Sequence, residues 1–241
     1  MTIYAIGDIH GHNDKLQAAL AWIEADGGPD AQVVMLGDLV DRGPDSRGVI
    51  DTLMAGRDSG RNWTVLMGNH DRMFLEFLDR GQTHNPLVKS GRSWFDPVMG
   101  GMETLASYGL EPDAAPEALF EQAQDAVPAA HRAFLAANPL YAERGRHLFV
   151  HAGIKPGVAL TEQDESDLLW IRDPFLKHPD PFDWLVVHGH TALQTPRHHG
   201  NRVNLDGGAG YGRALSAAAI DGDTVFLLGP EGRTHLPGDA D

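Results

Sequence analysis

Thr2-Ile3-Tyr4-Ala5-Ile6-Gly7-Asp8-Ile9-His10-Gly11 opens the chain with a short run of β-branched and aromatic residues that breaks at glycine into polar ones. The run reads as a strand, and residues 12–26 read as a helix with Leu16, Leu20 and Ile23 on one face. Val33-Val34-Met35-Leu36 forms the next buried strand, after which Ser46 is expected to cap a helix carrying Val49, Ile50, Leu53 and Met54. Residues 63–67 supply a third strand and residues 71–78 a third helix. This βαβαβα order implies parallel strands with right-handed crossovers, so the expected fold class is α/β. Ligands of such sheets bind beyond the carboxyl ends of the strands. Asp8, Asp38 and Asn69 fall there by counting along the chain.

Between residues 81 and 138 the pattern loosens. Gly, Pro and Ser recur before 116–125 and 129–137 turn helical, which reads as a helical insertion beside the site. Strands resume at 147–150 and 184–187, and the runs at 202–205, 214–220 and 224–228 are expected to build a second, largely antiparallel sheet. One domain over residues 1–228 is expected, with 229–241 a polar, Pro/Gly-rich tail that frays.

Composition excludes several classes. The 241 residues are 42% hydrophobic, enough for a buried core, yet no stretch approaches the ~20 apolar residues of a membrane span. The N-terminal residues lack the basic start and cleavage site of a signal peptide, so a cytoplasmic location off the membrane is expected. With no cysteine, any metal must be held by nitrogen and oxygen, which suits Mn, Fe or Zn. A net charge of −15 argues against binding a nucleic-acid backbone, which requires Lys and Arg against phosphate. An anionic substrate has to be drawn in by metals and a few local arginines. No heptads or apolar stripe specify an oligomer, and a monomer is favoured.

Five segments end hydrophobic runs in ligand chemistry: Gly7-Asp8-Ile9-His10-Gly11, Gly37-Asp38-Leu39-Val40-Asp41-Arg42-Gly43, Gly68-Asn69-His70-Asp71, Val150-His151-Ala152-Gly153 and His188-Gly189-His190-Thr191. Asp8 and His10 can converge on one ion from adjoining positions. Asp38, from the neighbouring loop, has two oxygens able to bridge two cations, and Asn69, His151 and His190 offer an amide oxygen and two imidazoles to the second. Two ions ~3.5–4 Å apart can activate a water and clamp a phosphate for in-line attack.

The first three of these segments resemble the signature motifs of the calcineurin-like metallophosphoesterases, in the bacterial serine/threonine phosphoprotein phosphatase branch, and the motif order follows the family over roughly residues 2–220. The resemblance implies a central β-sandwich of mixed sheets flanked by helices, two divalent ions with manganese first and iron or zinc also compatible, and direct attack on phosphorus by a metal-bridging hydroxide. It gives one ion Asp8, His10 and Asp38, and the other Asp38, Asn69, His151 and His190, with His188 behind them. It makes Arg42 a phosphate-binding arginine, His70 the acid for the leaving alcohol and Asp41 its carboxylate partner. A histidine so paired is expected to stay protonated near neutral pH. Leu168-Leu169-Trp170-Ile171-Arg172-Asp173 resembles bacterial members and makes Arg172 the second phosphate arginine. Asn204-Leu205-Asp206-Gly207-Gly208-Ala209-Gly210-Tyr211 resembles the loop bordering the cleft, where Tyr211, like Asn69, touches substrate. The expected substrate is a phosphorylated protein or small phosphoester. The nearest rival is a symmetrical diadenosine tetraphosphate hydrolase, which tends to replace the aspartate present here as Asp41. From another class comes a catalytically silent metal-binding regulatory module.

Overall fold

In the computed structural model, which describes residues 2–111 and 115–238, β1 (Ile3–Ile6) buries every side chain and divides them by parity. Tyr4 and Ile6 face a helical layer while Ile3 and Ala5 face a second sheet, as the two-residue period of a strand demands. Strands β2 (Val33–Met35) and β3 (Trp63–Val65) follow in parallel register beside it. Helices α1 (Asn13–Gly27) and α2 (Ser46–Asp58) make the crossovers, and α3 (Asn69–Arg80) follows β3.

Two local expectations shift. Asp45, not Ser46, caps α2, its carboxylate accepting from Gly48 N at 2.9 Å. The Ser46 hydroxyl is engaged elsewhere, by the amide of Asp41 at 3.1 Å. Helix α3 starts at Asn69 because the Asp71 carboxylate accepts from Gly68 N, at 2.9 Å, and closes the first turn. The insertion contributes α4 (Gly101–Ser107), α5 (Pro116–Ala126) and α6 (Ala129–Ala136). It also drives Trp94 into the core against Phe74, Phe77 and Phe95.

The second sheet has the order β4 (Tyr141–Arg144), β5 (His147–Val150), β6 (Leu185–His188), β8 (Arg202–Asn204) and β7 (Arg197–His198). Its centre, β5-β6-β8, is parallel and its edge pairs β4-β5 and β7-β8 are antiparallel, where a largely antiparallel sheet was expected. Strands β9 (Ala217–Asp221) and β10 (Thr224–Gly229) leave it for the first sheet, where β9 pairs antiparallel with β1. The reason is burial. Ala217 and Ala219 join the helical core, whereas Ala218 and Ile220 join the core between the sheets, so β9 needs cover on both faces. The tail is likewise more ordered than expected. Strand β11 (Gly232–Leu236) pairs with β10, and Arg233 ties it to Asp26 and Asp221 at 2.7 Å each. Residues 239–241 of the expected tail lie outside the described residues.

The result is a sandwich of mixed sheets with apolar packing between them. The helical layer covers one outer face, and α7 (Glu165–Trp170) with Phe175 covers the other. Among the described residues no helix is long and apolar enough to cross a membrane.

Candidate metal centre

The carboxyl ends of two sets of parallel strands meet at one cleft. Asp8 and His10 follow β1, Asp38, Asp41 and Arg42 follow β2, and Asn69 and His70 occupy the first turn of α3. His151 follows β5 and His190 follows β6. The backbone bends hard to aim these side chains. His10, Asp38, Asp41, Arg42 and His190 have φ of +47°, +50°, +74°, +68° and +65°, and they are the five non-glycine residues of positive φ among those described. Each such conformation costs about 1 kcal/mol or more and persists only where neighbours hold it. Here Ile9 N and His10 N both donate to Asp38 O, at 3.0 and 2.8 Å, locking one ligand loop to the next. Glycine makes the approach possible: a Cβ on Gly189 would lie 1.9 Å from Asp8 Oδ1, and one on Gly68 would lie 2.1 Å from Asp38 N.

The donor atoms fit a pair of divalent cations. His10 Nδ1 donates to Val40 O and His151 Nδ1 to Leu36 O, both at 2.9 Å, so each ring turns the lone pair of Nε2 into the site. His151 Nε2 then faces Asn69 Oδ1 at 2.9 Å, an acceptor against an acceptor, and His190 Nδ1 reaches the same oxygen at 2.8 Å. Asp8 Oδ1 and His190 Nε2 are buried without a hydrogen-bond partner. Bound divalent cations would satisfy the lone pairs of Asp8 Oδ1, His151 Nε2 and His190 Nε2, which have no hydrogen-bond donor facing them. Two groups have ligand atoms within 4.8 Å of one another, His10-Asp38-His70 and Asp8-Asp38-His151, and Asp38 belongs to both. The grouping differs from the expected division by bringing His70 beside His10. His188 stays outside, its ring edge-on to Phe175 at 5.0 Å.

Burial dominates the electrostatics. It pushes the Asp38 carboxyl up to about 7, and it raises Asp8 well above the usual carboxylate range with help from the charges of Asp206 and Asp38. It pushes His151 down to about 4 and lowers His10 and His190 as well. Groups that resist carrying their own charge, yet present lone pairs, favour a divalent ion that supplies positive charge from outside.

Beside this set, His70 Nδ1 donates to Asp41 Oδ2 at 2.6 Å. Trp94 Nε1 donates to the same oxygen at 2.8 Å, and Thr104 Oγ1 to Oδ1 at 2.7 Å. Arg42 spans the site, donating through one nitrogen to His10 Nε2 at 2.6 Å and through the other to His70 Nε2 at 3.0 Å. Its guanidinium lies over the Tyr211 ring, 4.7 Å from the centroid. The Asp41 pairing, expected to keep His70 protonated, is opposed by the surroundings of the ring. Burial, then the charges of Arg42 and His151, push its pKa well below the ordinary histidine value. The cleft in front measures about 540 Å³, and Arg172 and Tyr211 stand on its wall, exposed.

Three residues at the site carry no sequence expectation. Asp206 lies in the cleft lining, 4% exposed, held by a bond from Gly208 N to Oδ1 at 2.9 Å. Its position just past a buried strand end, the rule that singled out Asp8, is the signal that finds it. Trp94 and Thr104 reach Asp41 from 53 and 63 residues away, and no local pattern announces them.

A sandwich with strand-end carboxylates and imidazoles arranged for two cations defines a metal-dependent hydrolase of α/β type. The profile of the calcineurin-like phosphoesterase family matches residues 1–217, and the chain belongs to that family of phosphoester hydrolases, which use a dinuclear metal centre. An asymmetrical bis(5'-nucleosyl)-tetraphosphatase of Geobacillus thermodenitrificans is 29% identical, over 98% of this chain and 97% of its own length. Serine/threonine-protein phosphatase 1 of Salmonella typhimurium is 30% identical, over 90% and 91%. Among solved structures, that of a putative diadenosine tetraphosphatase superposes with a TM-score of 0.67 at 22% identity, over 96% and 95% of the two chains, a likeness of fold.

Proposed function

We propose that Asp8, His10, Asp38, Asn69, His151 and His190 hold two divalent ions, manganese first, with Asp38 between them. Arg42 and Arg172 grip the phosphoryl group, Asn69 borders it, and His70 on Asp41 handles the proton of the leaving oxygen. The ions, when bound, supply Lewis acidity and activate the attacking water. Water adds its oxygen to phosphorus, the bond from phosphorus to the leaving oxygen breaks, and the proton that the water gives up passes to the leaving oxygen through His70 Nε2, which carries a lone pair in the resting site. Arg42 donates to His70 Nε2 in the resting site. Turning the guanidinium onto a phosphoryl oxygen frees that nitrogen, while the Asp41 bond keeps the ring in place for transfer.

The observation that carries this reading is the continuous chain Asp41-His70-Arg42-His10, with contacts of 2.6, 3.0 and 2.6 Å running into the ligand set. For substrate, a dinucleoside polyphosphate is the favoured reading, supported by the names of relatives matched over nearly the whole chain. Cleavage of a serine or threonine phosphomonoester is the second reading, supported by the Salmonella relative. Asp41 does not separate the two, because Trp94 and Thr104 hold it behind His70, where it serves either leaving group.

The test is turnover of manganese-loaded protein on p-nitrophenyl phosphate, a phosphothreonine peptide and diadenosine tetraphosphate. Metal binding without any metal-dependent turnover would leave a silent regulatory module. A peptide preferred over the dinucleotide by about a hundredfold in kcat/KM would reverse the order of the two substrate readings.

A further inference from the structure

We infer that Lys89 and Arg92, with Leu87, Val98 and Tyr211 at the rim, form a second subsite of the cleft that takes the non-scissile phosphates and the base of a nucleoside polyphosphate. The inference rests on the hydrolase reading above and adds the residues that select the substrate.

Leu87, Val98 and Tyr211 are the exposed large hydrophobic side chains among the described residues, at 41%, 49% and 53%, and all three line the catalytic cleft. Scattered exposed apolar residues mean little, but their convergence on one cleft marks a contact surface. The charge is equally concentrated. In a chain of net charge −15, Arg42, Lys89, Arg92 and Arg172 share the cleft. The carboxylates lining it, Asp38 and Asp206, are buried at its floor, 2% and 4% exposed.

A single phosphoryl group engages Arg42, Arg172 and the ions, which leaves Lys89 and Arg92 unused by a simple monoester. Lys89 has no ion pair or hydrogen bond among the described residues, and the half-exposed Arg92 holds only Asp96, at 2.7 Å, a bond that an incoming anion can replace. Each further phosphate of a polyphosphate chain brings a charge for one of these cations. The flat, apolar end of the same molecule matches the rim, where Tyr211 is already stacked by Arg42 at 4.7 Å and Arg213 at 5.5 Å. A phosphorylated side chain on a peptide carries one phosphoryl group and no obligatory second charge.

The experiment compares the full metal-loaded chain with the Lys89→Ala/Arg92→Ala and Leu87→Ser/Val98→Ser variants. The substrates are p-nitrophenyl phosphate, diadenosine tetraphosphate and a phosphothreonine peptide flanked by glutamates, with inorganic tripolyphosphate as a competitor. The charge variant is expected to lower the kcat/KM ratio of dinucleotide to p-nitrophenyl phosphate about 30-fold, through KM, and to weaken tripolyphosphate inhibition by a similar factor. The rim variant is expected to lower that ratio about fivefold while tripolyphosphate inhibition holds. Ratios that stay within about twofold of the wild type in both variants overturn the inference, as does an equal loss on the acidic phosphopeptide. Failure of the metal-loaded wild-type chain to turn over any of the three substrates sinks the hydrolase reading instead, so the two failures are distinct.

Discussion

Trp94→Phe tests whether the insertion holds the Asp41 carboxylate behind His70. Trp94 is 1% exposed and donates at 2.8 Å to the Asp41 oxygen that His70 reaches at 2.6 Å. Phenylalanine keeps most of the aromatic packing and removes that donor from a carboxylate with no exposure. Losing a hydrogen bond to a buried charged group costs about 2 kcal/mol, and the smaller ring adds about 1 kcal/mol for the space it leaves, so about 3 kcal/mol is expected in all. The cost depends on pH. Burial pushes Asp41 up to about 7, and the Thr104 and Trp94 bonds oppose that rise. Removing one raises the folded-state pKa further. A carboxyl whose folded pKa lies above its unfolded value loses stability as pH rises from about 4 through the folded pKa. The deficit therefore falls to the packing loss of about 1 kcal/mol near pH 5.5, where Asp41 is protonated in both proteins, and is full near pH 8.5. Urea denaturation of metal-free wild type and variant at about these two pH values measures it. Turnover adds a second readout: with the His70 anchor loosened, alkyl phosphates should slow about tenfold and p-nitrophenyl phosphate less than about threefold. A deficit equal at both pH values, or below about 1 kcal/mol at the higher one, refutes the role of this bond.

Asp38→Asn should lower the occupancy of both ions together in metal analysis after dialysis, because Asp38 belongs to both ligand groups; loss of a single ion would refute its bridging position. His70→Asn should keep metal content near wild type while slowing poor leaving groups more than good ones. Since His70 clusters with His10 and Asp38, an emptied site in this variant would make His70 a ligand. Metal affinity should rise between about pH 6 and pH 8, because Asp38, pushed up to about 7, must release its proton, whereas His151, down at about 4, has already lost its own. Calorimetry in buffers of different ionisation enthalpy should detect the proton release, and flat affinity over that range would contradict the burial argument.

The candidate ligands could be picked out together because each sits just past a hydrophobic strand, where period and punctuation reveal the strand's end. Asp8, Asp38 and Asn69 follow from that rule, and the helices between them follow from apolar spacing. Asp206 obeys the same rule after β8, but the glycine-rich run that follows it reads equally well as a turn. The pairing of β9 and β10 with the first sheet was not legible. Their alanine-rich, buried runs fit any covered position, and only the open edge of β1 decides among them. The lowered pKa of His70 was not legible either. A carboxylate partner is visible in the motif, but the burial and the Arg42 contact that outweigh it are not.

By itself the sequence determined the α/β class, the strand-end positions of the candidate ligands and the restriction of any metal donors to nitrogen and oxygen, because each depends on composition or on residues a few positions apart. Tertiary structure alone decided that Trp94 and Thr104 hold Asp41, that Arg42 joins His10 to His70, and that Lys89 and the apolar rim face the same cleft as the ligands. Those contacts span tens of residues and come from packing the insertion against the sandwich, and local periodicity carries no record of where a long loop lands.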